Sequence, residues 1–178
     1  MAATKNLIAY AASAQLACSI ASLATGTSRE SATQSNSTNL YFDYGVALTF
    51  TIVSGTPTST GPFVNIYAVG SVDGTIWPII ELSGGTTKTL GGGDASVGAL
   101  SVPNQLSLIG QFAFQSTGSG AERTFRTEMY SVASGFNGVC PEAFSIVIEN
   151  QTGIAFSAST VTTANYLDIT GIYTTSGN

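Results

Sequence analysis

Between residues 40 and 53 the chain reads LYFDYGVALTFTIV, and Leu40, Phe42, Tyr44, Val46, Leu48, Phe50 and Ile52 all occupy even positions. Side chains of a strand point alternately to its two sides, so this run describes one long strand with an apolar face and a mixed face. A helix would scatter the same residues around its circumference. The alternation predicts that Phe42, Val46, Leu48 and Phe50 are core, with Thr49 and Thr51 exposed or turned to a partner. It commits the chain to an antiparallel sheet packed on another layer.

The remaining segments follow the same period. Residues 15–23 read as a first strand, preceded by an arm over residues 1–14 whose Ala-rich part is extended or helical. Residues 25–39 (TGTSRESATQSNSTN) contain no apolar side chain larger than Ala, which predicts a surface connection or one laid against a neighbour. Residues 54–62 read as a loop. Residues 63–72 are apolar on both sides, as in a strand covered on both faces. Asp73-Gly74 predicts a tight turn, with a short strand at 76–82 folding back from it. Five glycines within 84–97 mark the most flexible stretch. Leu106, Leu108, Phe112 and Phe114 alternate, 116–120 turns, and 123–132 reads as a strand. A loop at 135–142 follows, then 143–149 pairing with 154–159 as a hairpin across 150–153, and 165–173 closes the domain. The fold expected is all-β: an antiparallel two-sheet sandwich of jelly-roll-like winding, with eight or nine strands. The division is an arm at 1–14 and a single domain at 15–178.

Charge is scarce. Five basic and ten acidic residues make up 8% of the 178 residues, where about 25% is usual. Ser and Thr supply 46 residues and Gly another 20, so the polar surface is uncharged. A subunit that lives in an assembly suits this better than a free monomer, since charge keeps folded chains apart. No Lys/Arg cluster exists to neutralise phosphates, and Arg123 and Arg126 are interleaved with Glu122 and Glu128, which argues against nucleic acid. No apolar block of 18 residues occurs, so neither a spanning helix nor a signal peptide is expected, and synthesis in the cytoplasm follows.

The chain has no histidine, which removes the usual proton carrier and the usual zinc sites. Lys5 and Lys88 lie in the arm and the glycine-rich loop, so a serine nucleophile lacks a base. Asp73, Glu142, Glu149 and Asp168 are the formal carboxylate candidates for acid/base work, but Asp73 is accounted for by its turn and Glu149 by a strand end. No enzyme activity, metal or cofactor is expected. Cys18 and Cys140 read as small buried apolar residues, with a disulfide between them left open. Asn36 and Asn150 begin glycosylation triplets too common in Ser/Thr-rich chains to carry weight. Candidate interface residues are Leu7, Ile8 and Tyr10 of the arm, and Trp77, the single tryptophan.

Several strings recur in a known order: Ser22-Leu23-Ala24 with Arg29-Glu30-Ser31 and Ser37-Thr38-Asn39-Leu40, then Asp73-Gly74-Thr75. Ser131-Val132-Ala133, Phe136-Asn137-Gly138, Pro141-Glu142 and Glu149-Asn150-Gln151-Thr152-Gly153 complete them. In this order they resemble a group of structural proteins of tailed-bacteriophage virions. Phe144 stands where that group commonly has Trp, and Asn137 where it has Gly. The resemblance implies a virion component with no particular job. Its low charge and apolar arm favour a capsid decoration (cement) protein, lying on the capsid surface and contacting the major capsid protein and sister subunits as a homotrimer. A tail component (tube, fibre or host-binding part) and a secreted carbohydrate-binding sandwich using Trp77 are the alternatives.

Overall fold

The computed structural model describes residues 5–53, 61–101, 106–114, 122–159 and 164–177. The turn expected at 116–120 lies outside them, as does all of the loop expected at 54–62 except its last two residues. Fourteen strands are present among the described residues, more than the eight or nine expected, because short strands also form at Lys5–Tyr10, Thr27–Glu30, Gln34–Ser35, Thr87–Thr89 and Ser96–Gly98 and because the run 123–132 is divided in two. All pairings are antiparallel.

The first sheet is built on β5 (Asp43–Ile52) and β14 (Tyr166–Gly177), with β11 (Arg123–Arg126) and β12 (Tyr130–Ser131) along the other side of β5. Beyond β14 lie β1 (Lys5–Tyr10) and β2 (Ala14–Leu16). The described part of the arm is therefore extended over Lys5–Tyr10, and it is part of the sheet. The second sheet runs β10 (Ser107–Ala113), β6 (Phe63–Ser71), β13 (Ala143–Gln151), β3 (Thr27–Glu30), β9 (Ser96–Gly98), with β4 (Gln34–Ser35) also on β13. A small ribbon, β7 (Ile79–Glu81) with β8 (Thr87–Thr89), completes the set.

From Tyr44 onward, the core between the sheets is the one the alternation calls for. Tyr44, Val46, Leu48, Phe50 and Ile52 meet Val64, Ile66, Phe144, Ile146 and Ile148, with Leu167 and Ile169 from β14. Phe50 sits among four other rings, stacked on Phe156 and Phe125 and flanked by Phe112 and Phe114. A second, smaller core lies on the outer side of the second sheet. There Tyr67, Val69 and Val147 are covered by Ile80, Leu90, Val97 and Leu106. That cover explains why β6 is apolar on both sides.

Several expectations are corrected. Phe42 is 46% exposed. Tyr44 packs on Phe144, the second residue of β13, so Phe42, two positions further out, has no strand across from it. Thr49 and Thr51 are buried. Arg126 donates to Thr49 Oγ1 at 3.0 Å, and Thr51 Oγ1 lies 2.8 Å from Thr124 Oγ1 and donates to the Ala164 carbonyl. Side chains of the flanking strands thus cover the mixed face. Residues 25–39 are not simply surface: Ser28, Glu30, Ser31 and Asn36 are buried, each with a hydrogen-bond partner.

Residues 76–82 do not fold back on β6; β7 pairs with β8 instead. The glycine-rich stretch is anchored, because the buried Glu30 carboxylate accepts the Gly92 N–H at 2.8 Å and the Ser145 hydroxyl at 2.7 Å. In β10 a bulge between Leu108 and Gly110 inverts the alternation. Leu106 joins the outer core while Phe112 and Phe114 face the inner one. The run 123–132 is two strands, since five residues from Arg126 to Tyr130 oppose four from Thr49 to Val46.

No hairpin joins 143–149 to 154–159. Asn150 donates to the Leu23 and Ile154 carbonyls and accepts the Thr152 N–H. That side chain turns the strand end away from its own sheet, and Phe156 bridges to Ile52 of the first sheet. No helix among the described residues is long and apolar enough to cross a membrane.

Candidate interaction surface

One end of the sandwich gathers most of the large apolar side chains that water can reach. Ser71 pairs with Ala143 where β6 ends and β13 begins, and Tyr44 meets Phe144 between the sheets. The loop 36–42, the turn at 72–76 and the loop 136–142 therefore emerge side by side. Asp43, the first residue of β5, holds that strand to the end of β12 and the turn that leads into the last of these loops, accepting the Ala133 N–H and the Ser131 hydroxyl, each at 2.7 Å.

Leu40, Tyr41 and Phe42 line a shallow depression of about 310 Å³ with Gly138, Val139 and Cys140. An adjoining depression of about 390 Å³ adds Ser37 and Glu142. Leu40 is 76% exposed, and its φ of 49° lies in the left-handed region that a bulky residue enters at a cost of ~1–2 kcal/mol. Asn36 shapes this loop by accepting the Tyr41 N–H at 2.8 Å and donating to its carbonyl at 2.9 Å. Burial, reinforced by the Asp43 carboxylate, pushes the Cys140 thiol up to about 12, and burial above all does the same for Cys18. Both cysteines are free and pack against the core.

Beside the depression, β1 and the second half of β14 run past the end of the sheet as a two-stranded ribbon. β5 pairs with β14 only as far as Ile172, whereas β1 pairs with it from Ile172 to Gly177. Leu7, Ile8 and Tyr10 are all exposed on this ribbon. Tyr41 joins it to the depression, stacking on Tyr173 with ring centres 5.7 Å apart and meeting Tyr44 edge-on at 5.3 Å. Gly171 makes this possible: a Cβ there would lie 2.1 Å from a ring carbon of Tyr41. Val72 and Ile76 of the neighbouring turn are also exposed.

Of the residues singled out by sequence, Leu7, Ile8 and Tyr10 come together on the ribbon. Trp77 is half-buried against the outer core, and its indole N–H donates to the Gly74 carbonyl at 3.3 Å. Sequence reasoning missed Leu40, Phe42, Val139, Val72 and Ile76, whose apolar character looks identical to that of core positions. Asn39-Leu40 at the close of a polar run was the available signal.

The four carboxylates do not assemble a site. Asp168 pairs with Arg126 at 2.6 Å on the outer face of the first sheet. Glu149 is buried on the second sheet, accepting from Asn65, Tyr67 and Gln151 at 2.8–2.9 Å. Asp73 accepts the Thr75 and Ile76 N–H groups and the Ser71 hydroxyl, which hold its carboxyl down at about 2. Glu142 borders the depression. Asn36 and Asn150 are buried with their amides engaged. Comparison with protein-family models, characterised proteins and solved structures finds no match to this chain.

Proposed function

We propose that the chain is a structural subunit of a tailed-phage virion, a decoration protein that binds across major capsid subunits and holds the head together. The observation that carries this reading is the apolar end of the sandwich, where a leucine is kept exposed in a left-handed conformation that Gly or Asn would adopt at less cost. Strain of this kind persists where a contact uses the side chain, and contiguous exposed apolar surface marks an interface. Acidic Asp73 and Glu142 border it, and the loops 36–42, 72–76 and 136–142 contain no Lys or Arg. A partner presenting an apolar prominence with a basic rim fits such a surface.

The mechanism is energetic. A subunit that binds only the assembled head shifts the equilibrium toward assembly, opposing the pressure of packaged DNA. Nothing in the structure favours a sugar-stacking role for Trp77, whose ring is engaged in the outer core.

The test is addition of purified protein to heads that lack it. Attachment in many copies, with heads surviving heating better, is the expected result, and Leu40→Asp with Val139→Asp should abolish it. A few copies located on the tail would place the subunit in the alternative tail role. Absence from the particle would refute the reading altogether.

A further inference from the structure

We propose that copies of this chain join edge to edge through the ribbon. The open side of β14 over residues 173–177 pairs with the open side of β1 in a second copy, and three ribbons close a six-stranded barrel about a threefold axis. The inference extends the subunit reading above to how copies of the chain meet, and it needs no particle to test.

The main-chain directions locate the open edges. The Ile172 carbonyl accepts the Phe42 N–H on the β5 side, while the Gly171 carbonyl accepts the Ala11 N–H on the β1 side. Successive residues of a strand aim their N–H and C=O groups to opposite sides. Thr174 and Ser176 therefore aim theirs where β5 has ended, and no strand lies there among the described residues. Tyr173 and Thr175 face Ala9 and Leu7, so Asn6, Ile8 and Tyr10 aim their main-chain groups away from β14, on the outer side of β1.

Natural sheets guard such edges with charge, proline or a bulge. Residues 173–177 are Tyr-Thr-Thr-Ser-Gly and residues 5–10 are Lys-Asn-Leu-Ile-Ala-Tyr, with no proline and a single charge, Lys5, at the tip of the ribbon opposite Gly177, and their pairing shows no register shift. A lone two-stranded ribbon is marginal in water. This one exposes apolar side chains on both faces, Leu7 with Tyr173 on one and Ile8 with Tyr10 on the other.

A second copy is the occupant that uses everything the ribbon offers. Among the described residues one open edge belongs to each strand, and the two match in length and are uncharged except at Lys5. Head-to-tail pairing satisfies both, and closing the ring leaves none open. Pairing two β14 edges about a twofold axis would leave β1 as an open edge, still carrying exposed Leu7, Ile8 and Tyr10.

Sedimentation velocity of the purified full chain tests this. The wild type should run as a trimer. Thr174→Pro removes an N–H on the open side, and the β1 ladder does not use that N–H; proline is tolerated on such an edge. It should give a monomer with unchanged far-ultraviolet circular dichroism. Thr174→Lys keeps the N–H but puts a charge in the middle of the joining edge, the device by which natural sheets block such pairing, and it should dissociate the trimer equally. A monomeric or dimeric wild type, or folded variants that stay trimeric, would overturn the proposal. A trimer that fails to attach to heads would leave the ribbon pairing standing and refute the decoration role.

Discussion

Replacing Phe50 by Ala tests the central packing of the molecule. Phe50 has no exposed surface, and its ring lies 5.0 Å from Phe156, 5.5 Å from Phe125 and 5.8 Å from Phe112, centre to centre. Removing the ring forfeits a transfer free energy of ~1.5–3 kcal/mol. It also opens a cavity whose walls belong to different segments. Phe156 cannot follow inward easily, because its N–H is bonded to the Leu23 carbonyl and it bridges to Ile52. Phe112 and Phe125 are only half-buried and can lean in, which relieves part of the cost. The net loss should be ~4 kcal/mol, within the range for buried Phe→Ala, which lowers the melting temperature by ~8–16 °C for a domain of this size. Thr51→Ala, on the opposite face of the same strand, removes one hydroxyl and its two partners and should cost only ~1 kcal/mol. Urea unfolding followed by Trp77 fluorescence and by circular dichroism measures both. A Phe50→Ala loss below ~1 kcal/mol, or a larger loss for Thr51→Ala, would refute the assignment of faces.

Glu30→Ala should cost ~2–5 kcal/mol in the same unfolding assay, because the Gly92 N–H and the Ser145 hydroxyl lose a buried acceptor; an unchanged midpoint would show that the glycine loop is not held there. Gly171→Ala forces a methyl into the Tyr41 ring and should cost ~1–3 kcal/mol, with loss of near-ultraviolet signal from the Tyr41–Tyr173 stack; a variant with native signal would contradict that packing. Asp73, held from its ordinary 3.8 down to about 2, is depressed on folding, so its contribution is present above pH 3.8 and lost as pH falls toward 2. Asp73→Asn should flatten that acid limb in thermal melts, and an identical pH profile would refute the role of its hydrogen bonds.

Much of the fold was legible in the residues because strand periodicity is local. The even positions from Tyr44 to Ile52, the doubly apolar run that became β6 and the closing strand at β14 all declare themselves from neighbours in the chain. The arm residues Leu7, Ile8 and Tyr10 also stood out, as apolar side chains with nothing nearby to cover them.

Partners and cover were decided by tertiary structure. Whether 143–149 pairs with 154–159 or with β6 turns on the Asn150 amide reaching Leu23, a residue remote in sequence. A single bulge in β10 moves Phe112 and Phe114 to the inner core while Leu106 stays outside. Thr49 and Thr51 are buried because Arg126, Thr124 and residues just before β14 lie across them. Leu40 and Phe42 carry the same alternating pattern as Val46 and Phe50, yet they are exposed because the second sheet ends at Ala143. Period 2 tells which residues share a face. Whether another layer covers that face depends on contacts between distant segments, which no local pattern encodes.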